Sequence, residues 1–333
     1  MKSMDKYITE FTEQIKRAVA IGESANLKSV RVPVRNVLLC GLGGSGIGGS
    51  IVSDLYKDEI EVPIVINKSY LIPAFVNENT LVIITSYSGN TEETLSALMH
   101  AHKRGAHIVC VTSGGLVKEY AELHDIDFIE IDGGMPPRAC LALSLIQLMY
   151  ILNDLGLIDN GFKQSMSKIT KLLDESEDEI KACAKEIASK LHGTVPIIYS
   201  ASSFEGVAIR FRQQLNENAK MLCWHHVIPE MSHNELVGWR KTPDNVSVIF
   251  LRNSCDFERN QMRMDYIKSV ISNYTNTIIE LYSKGESCLE RSFYLIHVGD
   301  WVSYYLSEMN EVDAIEVNVI TSLKDKLAEK PLP

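Results

Sequence analysis

Leu81-Val82-Ile83-Ile84-Thr85-Ser86-Tyr87-Ser88-Gly89-Asn90-Thr91-Glu92-Glu93-Thr94 is an apolar run that breaks abruptly into hydroxyl-bearing and glycine residues. Its first half has the unbroken hydrophobicity of a parallel strand covered on both faces. After it, Ser86, Ser88 and Thr91 supply hydroxyls, Gly89 lets a backbone come close to a ligand, and Asn90-Thr91 opens a helix. A helix N-terminus presents unpaired N–H groups at the positive end of the macrodipole, a setting that suits a dianionic phosphate. The plainer alternative is a helix-capping turn, but three hydroxyls and a glycine exceed what one cap needs.

Working outward, repeated alternation of strand and helix predicts a doubly wound parallel sheet. The predicted strands are Asn36 to Cys40, Glu61 to Asn67, Leu81 to Thr85, His107 to Thr112 and Phe128 to Asp132, with a helix over Glu92 to Arg104. Before them, residues 4 to 22 carry Ile8, Phe11, Ile15 and Val19 at helical spacing, followed by a basic connector. The first strand runs into Gly41-Leu42-Gly43-Gly44-Ser45-Gly46, which satisfies the dinucleotide fingerprint. Yet the second strand ends Ile66-Asn67-Lys68, without the acidic residue that would hold a ribose. In the strand order 2-1-3-4-5, the loops after strands one and three face one crevice, so Ser45 and Gly46 would grip the same ligand as Ser86, Ser88 and Thr91.

Beyond the fifth strand, Pro136 and Pro137 stiffen the approach to Arg138, followed by the apolar helix Leu141 to Leu155. An arginine there either lies solvated or holds an oxyanion bidentately. Residues 156 to 192 read as a helical connector whose acidic run, Asp174 to Glu179, suits a solvated face. At Val195 the opening pattern restarts: strand Val195 to Tyr199, the small loop Ser200 to Gly206, helix Val207 to Leu215. Val246 to Arg252, Thr277 to Tyr282 and a helix through Phe293 to Leu306 continue it. The predicted organisation is an N-terminal subdomain over 1–155, a connector over 156–192 and a C-terminal subdomain over 193–333.

Two clusters in the second half carry chemistry. Glu217 sits among the amides Asn216 and Asn218, and His233 falls in Pro229-Glu230-Met231-Ser232-His233-Asn234-Glu235. A partly desolvated carboxylate serves as a general base and a histidine shuttles protons; a solvated glutamate and a structural histidine are the alternatives. His225, His226 and His233 match no strong metal-ligand spacing.

Composition narrows the classes. The 333 residues, 45% hydrophobic and 23% charged, suffice for two subdomains. A net charge of -10 leaves no basic surplus for nucleic-acid binding. Seven cysteines without a C-x-x-C pair suit a reducing cytoplasm. No stretch reads as a signal peptide or membrane span, so a cytoplasmic protein is expected.

The glycine–serine loop, the Ser86-to-Thr91 cradle and the paired subdomains resemble the sugar isomerase (SIS) superfamily. Within it, Pro137-Arg138-Ala139, Asn216-Glu217-Asn218 and Ser232-His233-Asn234-Glu235 are similar to the bifunctional phosphoglucose/phosphomannose isomerases, and the similarity covers nearly the whole chain. The resemblance implies two SIS subdomains, each a flavodoxin-like doubly wound α/β sheet flanked by helices. It implies interconversion of glucose 6-phosphate and mannose 6-phosphate with fructose 6-phosphate, within glycolysis or gluconeogenesis, using neither metal nor other cofactor. Ser45, Gly46, Ser86, Ser88 and Thr91 would hold the phosphate. Glu217 would move a proton between C1 and C2 through a cis-enediolate, Arg138 would stabilise its charge, and His233 would assist ring opening from the second subunit of a homodimer. A C-terminal lysine completes the family site, and Lys324 is the best match. The rival readings are a noncatalytic sugar-phosphate sensor, against which stand Glu217 and His233 and the lack of a basic helix-turn-helix segment, and an aminosugar-phosphate isomerase.

Overall fold

The computed structural model describes residues 2–28, 33–241 and 244–330; part of the basic connector, residues 29–32, lies outside them. The N-terminal half runs α1 (Met4–Thr9), α2 (Phe11–Ser24), β1 (Asn36–Cys40), α3 (Gly43–Tyr56), β2 (Ile64–Asn67), β3 (Thr80–Ser86), α4 (Glu92–Lys103), β4 (His107–Thr112), α5 (Gly115–Leu123), β5 (Asp127–Glu130) and α6 (Leu141–Asp154). A long helix, α7 (Gly161–Leu191), leads to β6 (Val195–Ala201), α8 (Glu205–Glu217), β7 (Trp224–Ile228), α9 (Glu235–Gly238), β8 (Val246–Arg252), α10 (Glu258–Ile271), β9 (Ile278–Tyr282), α11 (Cys288–Met309) and α12 (Asn318–Ala328).

The first sheet has the order β2-β1-β3-β4-β5, all parallel, with Val37 opposite Leu81 and Cys40 opposite Asn67. The second has the order β7-β6-β8-β9, also parallel, with Tyr199 opposite Phe250. Both are doubly wound, and the predicted order 2-1-3-4-5 holds for the first. Among the described residues the second has four strands, one of which, β7, is not among the predicted strands; in it only Ile228 is fully buried. The predicted helix over 4–22 is divided at Glu10 into α1 and α2.

Strand alternation assigns each sheet two faces. On the outer faces, Leu38, Val82, Ile84 and Cys110 form one core and Tyr199, Val248 and Phe250 another. On the inner faces, Leu39 and Ile83 join Ile198 and Ile249 in a single core that runs between the sheets. Its centre is α6, buried without interruption from Leu141 to Leu152, as a helix apolar all round must be. Truncating Leu145 there to alanine would cost about 2–5 kcal/mol in lost burial and cavity. Helices α3 and α8 approach closely: a Cβ on Gly206 of α8 would lie 2.8 Å from the Ile51 amide nitrogen of α3. The glycine run is part of α3 rather than a loop ahead of it.

Helix α7 occupies most of the stretch read as a helical connector. Its apolar stripe, Ile169, Leu173, Ile180 and Ala184, is buried, and it packs along α11. The acidic run lies largely in solvent, except that half-buried Glu177 meets the buried His297 ring at 3.1 Å.

Candidate active site

The loops after β1 and β3 meet at the switch point between neighbouring strands. Ser45 joins them: its hydroxyl accepts from the Tyr87 amide at 3.0 Å. Gly46 lies against the preceding turn so tightly that a Cβ would sit 2.2 Å from the Gly41 carbonyl oxygen. At Gly89 the backbone is left-handed, φ +69°, and a Cβ would lie 1.8 Å from the Gly114 oxygen, so both conformation and space exclude a side chain. Ser86 is buried and its hydroxyl bonds that of Thr91 at 3.3 Å, while Ser88 is exposed and accepts from the Asn90 amide at 3.3 Å. Thr91 stands at the N-cap of α4, yet its hydroxyl makes no capping bond. The capping alternative thus fails for Thr91.

Arg138 lies in a turn, Pro137–Ala139, between β5 and α6. Its backbone is pressed onto α3, since a Cβ on Gly44 would lie 2.8 Å from the Arg138 nitrogen. The side chain is 3% exposed, which removes the solvated alternative. Nε donates to Asn218 Oδ1 at 2.6 Å, Nη2 donates to the carbonyls of Ala314 and Ile315, and Nη1 reaches Glu217 Oε2 at 3.4 Å. The bidentate clasp open to an oxyanion is thereby taken up by the protein itself, leaving Nη1 beside Glu217. Burial pulls the guanidinium below its ordinary pKa, and the Glu217 carboxylate opposes that.

Glu217 ends α8 and keeps a quarter of its side chain in solvent. A carboxylate at the negative end of a helix is locally unfavourable, and the pairing with Arg138 compensates for it. Such a break with a local rule is expected where function sets the residue. Beneath the pair, buried Arg210 donates to the Arg138 carbonyl at 2.7 Å and to Asp300 at 2.8 and 3.0 Å. Gln214 also donates to Asp300, and Asn218 Nδ2 donates to Ser303. Lys220, with φ +56°, donates to the carbonyls of Glu217, Asp313 and Glu316 at 2.6–2.9 Å, tying the C-terminal segment to the end of α8. Burial lowers its pKa, with Glu316 opposing. Residues Arg210, Lys220, Asp300 and Ser303 went unassigned in the sequence reading.

The remaining two candidates are not bonded to this pair among the described residues. His233 is exposed at the end of the turn Glu230–His233, and Lys324 is exposed on α12, none of whose residues is buried. No hydrogen bond or ion pair among the described residues ties either to Glu217. His225 faces Arg212 at 3.3 Å and Glu205 at 3.6 Å, whereas His226 accepts from the Val227 amide. Among the described residues no cluster of three His, Cys, Asp or Glu could hold a metal ion, and no helix is long and apolar enough to cross a membrane.

Residues 180–327 match the family model for the bacterial phospho-glucose isomerase C-terminal SIS domain. The bifunctional phosphoglucose/phosphomannose isomerase of Caldicellulosiruptor bescii is 37% identical, covering 98% of this chain and 99% of that protein. Its counterpart in Aquifex aeolicus is 35% identical over 89% of this chain and 91% of that protein. The chain belongs to the bifunctional phosphoglucose/phosphomannose isomerase family. Solved structures share the fold of this family member at low identity. A protein of Clostridium difficile 630 assigned as a phosphosugar isomerase superposes with TM-score 0.78 at 16% identity, covering 97% of this chain and 98% of that one. The C-terminal domain of glucosamine-fructose-6-phosphate aminotransferase from Francisella tularensis gives 0.72 at 14%, covering 95% and 98%.

Proposed function

We propose that the chain is an aldose–ketose isomerase interconverting glucose 6-phosphate and mannose 6-phosphate with fructose 6-phosphate. The observation that carries this reading is the pairing of part-exposed Glu217 with buried Arg138, whose turn packs on the glycine helix that opens at the phosphate cradle.

The phosphate sits on Ser45, Gly46, Ser86, Ser88 and Thr91, held by hydroxyls and helix-terminal amides. Glu217 takes the C2 proton of the open-chain aldose. The C–H electron pair becomes the C1=C2 bond and the carbonyl pair moves to O1, giving an enediolate. Arg138 Nη1, beside Glu217, stabilises the charge as it develops. A proton moves from O2 to O1, and Glu217 returns its proton to C1 to give the ketose. Glucose and mannose 6-phosphate differ only at C2, so they share this planar enediolate and one base serves both.

His233 opens the sugar ring from a second copy of the chain, and Lys324 completes the site. Two features support a second copy: His233 is exposed with no hydrogen bond or ion pair to Glu217 among the described residues, and α12 presents Val319, Ile320, Leu323 and Leu327 to solvent. Expression in the cytoplasm and a homodimer belong to this proposal.

The test is conversion of fructose 6-phosphate in chelator-treated buffer, with both aldose products followed. Formation of both supports the reading. Tight fructose 6-phosphate binding without turnover would move the chain to the sugar-phosphate sensors, and a single product would remove the bifunctional assignment.

A further inference from the structure

The second sheet has its own switch point, between β6 and β8, and a cleft of about 630 Å³ opens there. Ser202, Arg259 and Arg263 line it, together with two cysteines. Cys255 lies in the loop between β8 and α10, and Cys288 is the first residue of α11. Both are exposed, and their Sγ atoms stand 3.1 Å apart although 33 residues separate them in sequence. The other five cysteines are buried or half-buried.

We propose that Cys255 and Cys288 form a modification site, a thiol pair that hydrogen peroxide converts to an intramolecular disulfide. The Cys255 thiolate attacks one peroxide oxygen, the O–O bond breaks, and the departing hydroxide is protonated to water, leaving a sulfenic acid. The Cys288 sulfur then attacks the Cys255 sulfur, the S–O bond breaks and a second water leaves. Two thiols lose two electrons in total, and the peroxide is reduced to two waters.

The surroundings divide these roles between the sulfurs. The Cys288 thiol donates to Cys255 and, with Arg291, holds the Cys255 thiol down at about 6 against the cost of burial. Donation pushes Cys288 up, keeping it a thiol while Cys255 is charged. Once Cys255 becomes a neutral sulfenic acid that constraint ends and Cys288 is free to resolve it. By contrast, burial pushes Cys40, Cys110 and Cys140 up to about 12, where thiolate is scarce.

The experiment treats the reduced, folded chain with hydrogen peroxide and maps its peptides without reductant. The expected result is a linked Cys255–Cys288 peptide, two thiols lost per chain, and recovery of both with dithiothreitol. In Cys288→Ser the link is absent and dimedone captures a sulfenic acid at Cys255. In Cys255→Ser, thiol loss slows by about tenfold or more. Oxidation falling first on Cys183 or Cys223, cross-links only between chains, or an unchanged rate in Cys255→Ser would each overturn the proposal.

Discussion

The crevice after β1 and β3 and the crevice after β6 and β8 share one topology and differ in what fills them. In the first, the loops carry Gly46, Ser86, Ser88 and Thr91, and the N-cap residues of α3 and α4, Leu42 and Thr91, make no side-chain capping bond. In the second, Asp54 of α3 already accepts from the Gly206 amide in the first turn of α8, at 2.6 Å. The loop after β8 there carries Cys255 and Asp256 where the loop after β3 carries hydroxyls. A sheet edge makes a place for an anion, but the side chains decide whether one enters. The first half leaves these N-caps without a side-chain bond, and the second half satisfies an amide with a carboxylate from the first.

The largest effect is expected from removing the buried carboxylate that holds Arg210 beneath Arg138. Asp300→Ala leaves Arg210 buried without its partner and should cost about 3–5 kcal/mol, read by urea unfolding. Arg138 would shift with it, so turnover should fall as well. Retention of parental stability would show that the halves are founded separately.

Next, Gly89→Ala forces a left-handed backbone and a clash with the Gly114 carbonyl, at a cost of about 3 kcal/mol. It should raise the KM for every phosphosugar. Gly206→Ala, whose Cβ would meet the Ile51 backbone at 2.8 Å, should lower stability with less change in KM. Equal changes in KM would erase the distinction between the two crevices.

The smallest effect concerns Asp54, which burial pushes up to about 6 while the Gly206 amide opposes. A carboxyl with a raised folded pKa binds its proton more tightly in the folded chain, so its contribution is fully present below about pH 4 and is lost as pH rises through 6. Asn at this position keeps an acceptor for Gly206 without the charge. The stability of Asp54→Asn relative to the parent should therefore rise by about 2 kcal/mol between pH 4 and pH 7. A difference flat with pH would remove Asp54 as a buried charge.

These contrasts also mark what the sequence could disclose. Strands β1, β3, β4 and β8 were legible because each is an apolar run buried on both faces. Strand β7 was not, because Trp224 is exposed and the polar His225 and His226 interrupt the apolar run. The start of α3 was hidden because its glycines, which permit contact with Arg138 and the Gly41 turn, read as a loop. At the candidate site, Arg138 and Glu217 each had a local signature, but their meeting is set by packing across 79 residues. Asp300 lies 90 residues from Arg210 within an apolar helix, and no spacing rule connects them. Lys220 Nζ and Arg138 Nη2 donate to backbone carbonyls, of Glu217, Asp313 and Glu316 and of Ala314 and Ile315, acceptors that side-chain motifs do not encode.

The most direct test of one carboxylate serving two epimers is Glu217→Gln, with fructose 6-phosphate affinity and both aldose-forming rates measured on the same preparation. The two rates should fall together by about 10²–10⁴-fold, with affinity changed only a few-fold. Survival of either rate at the parental level would contradict a single base.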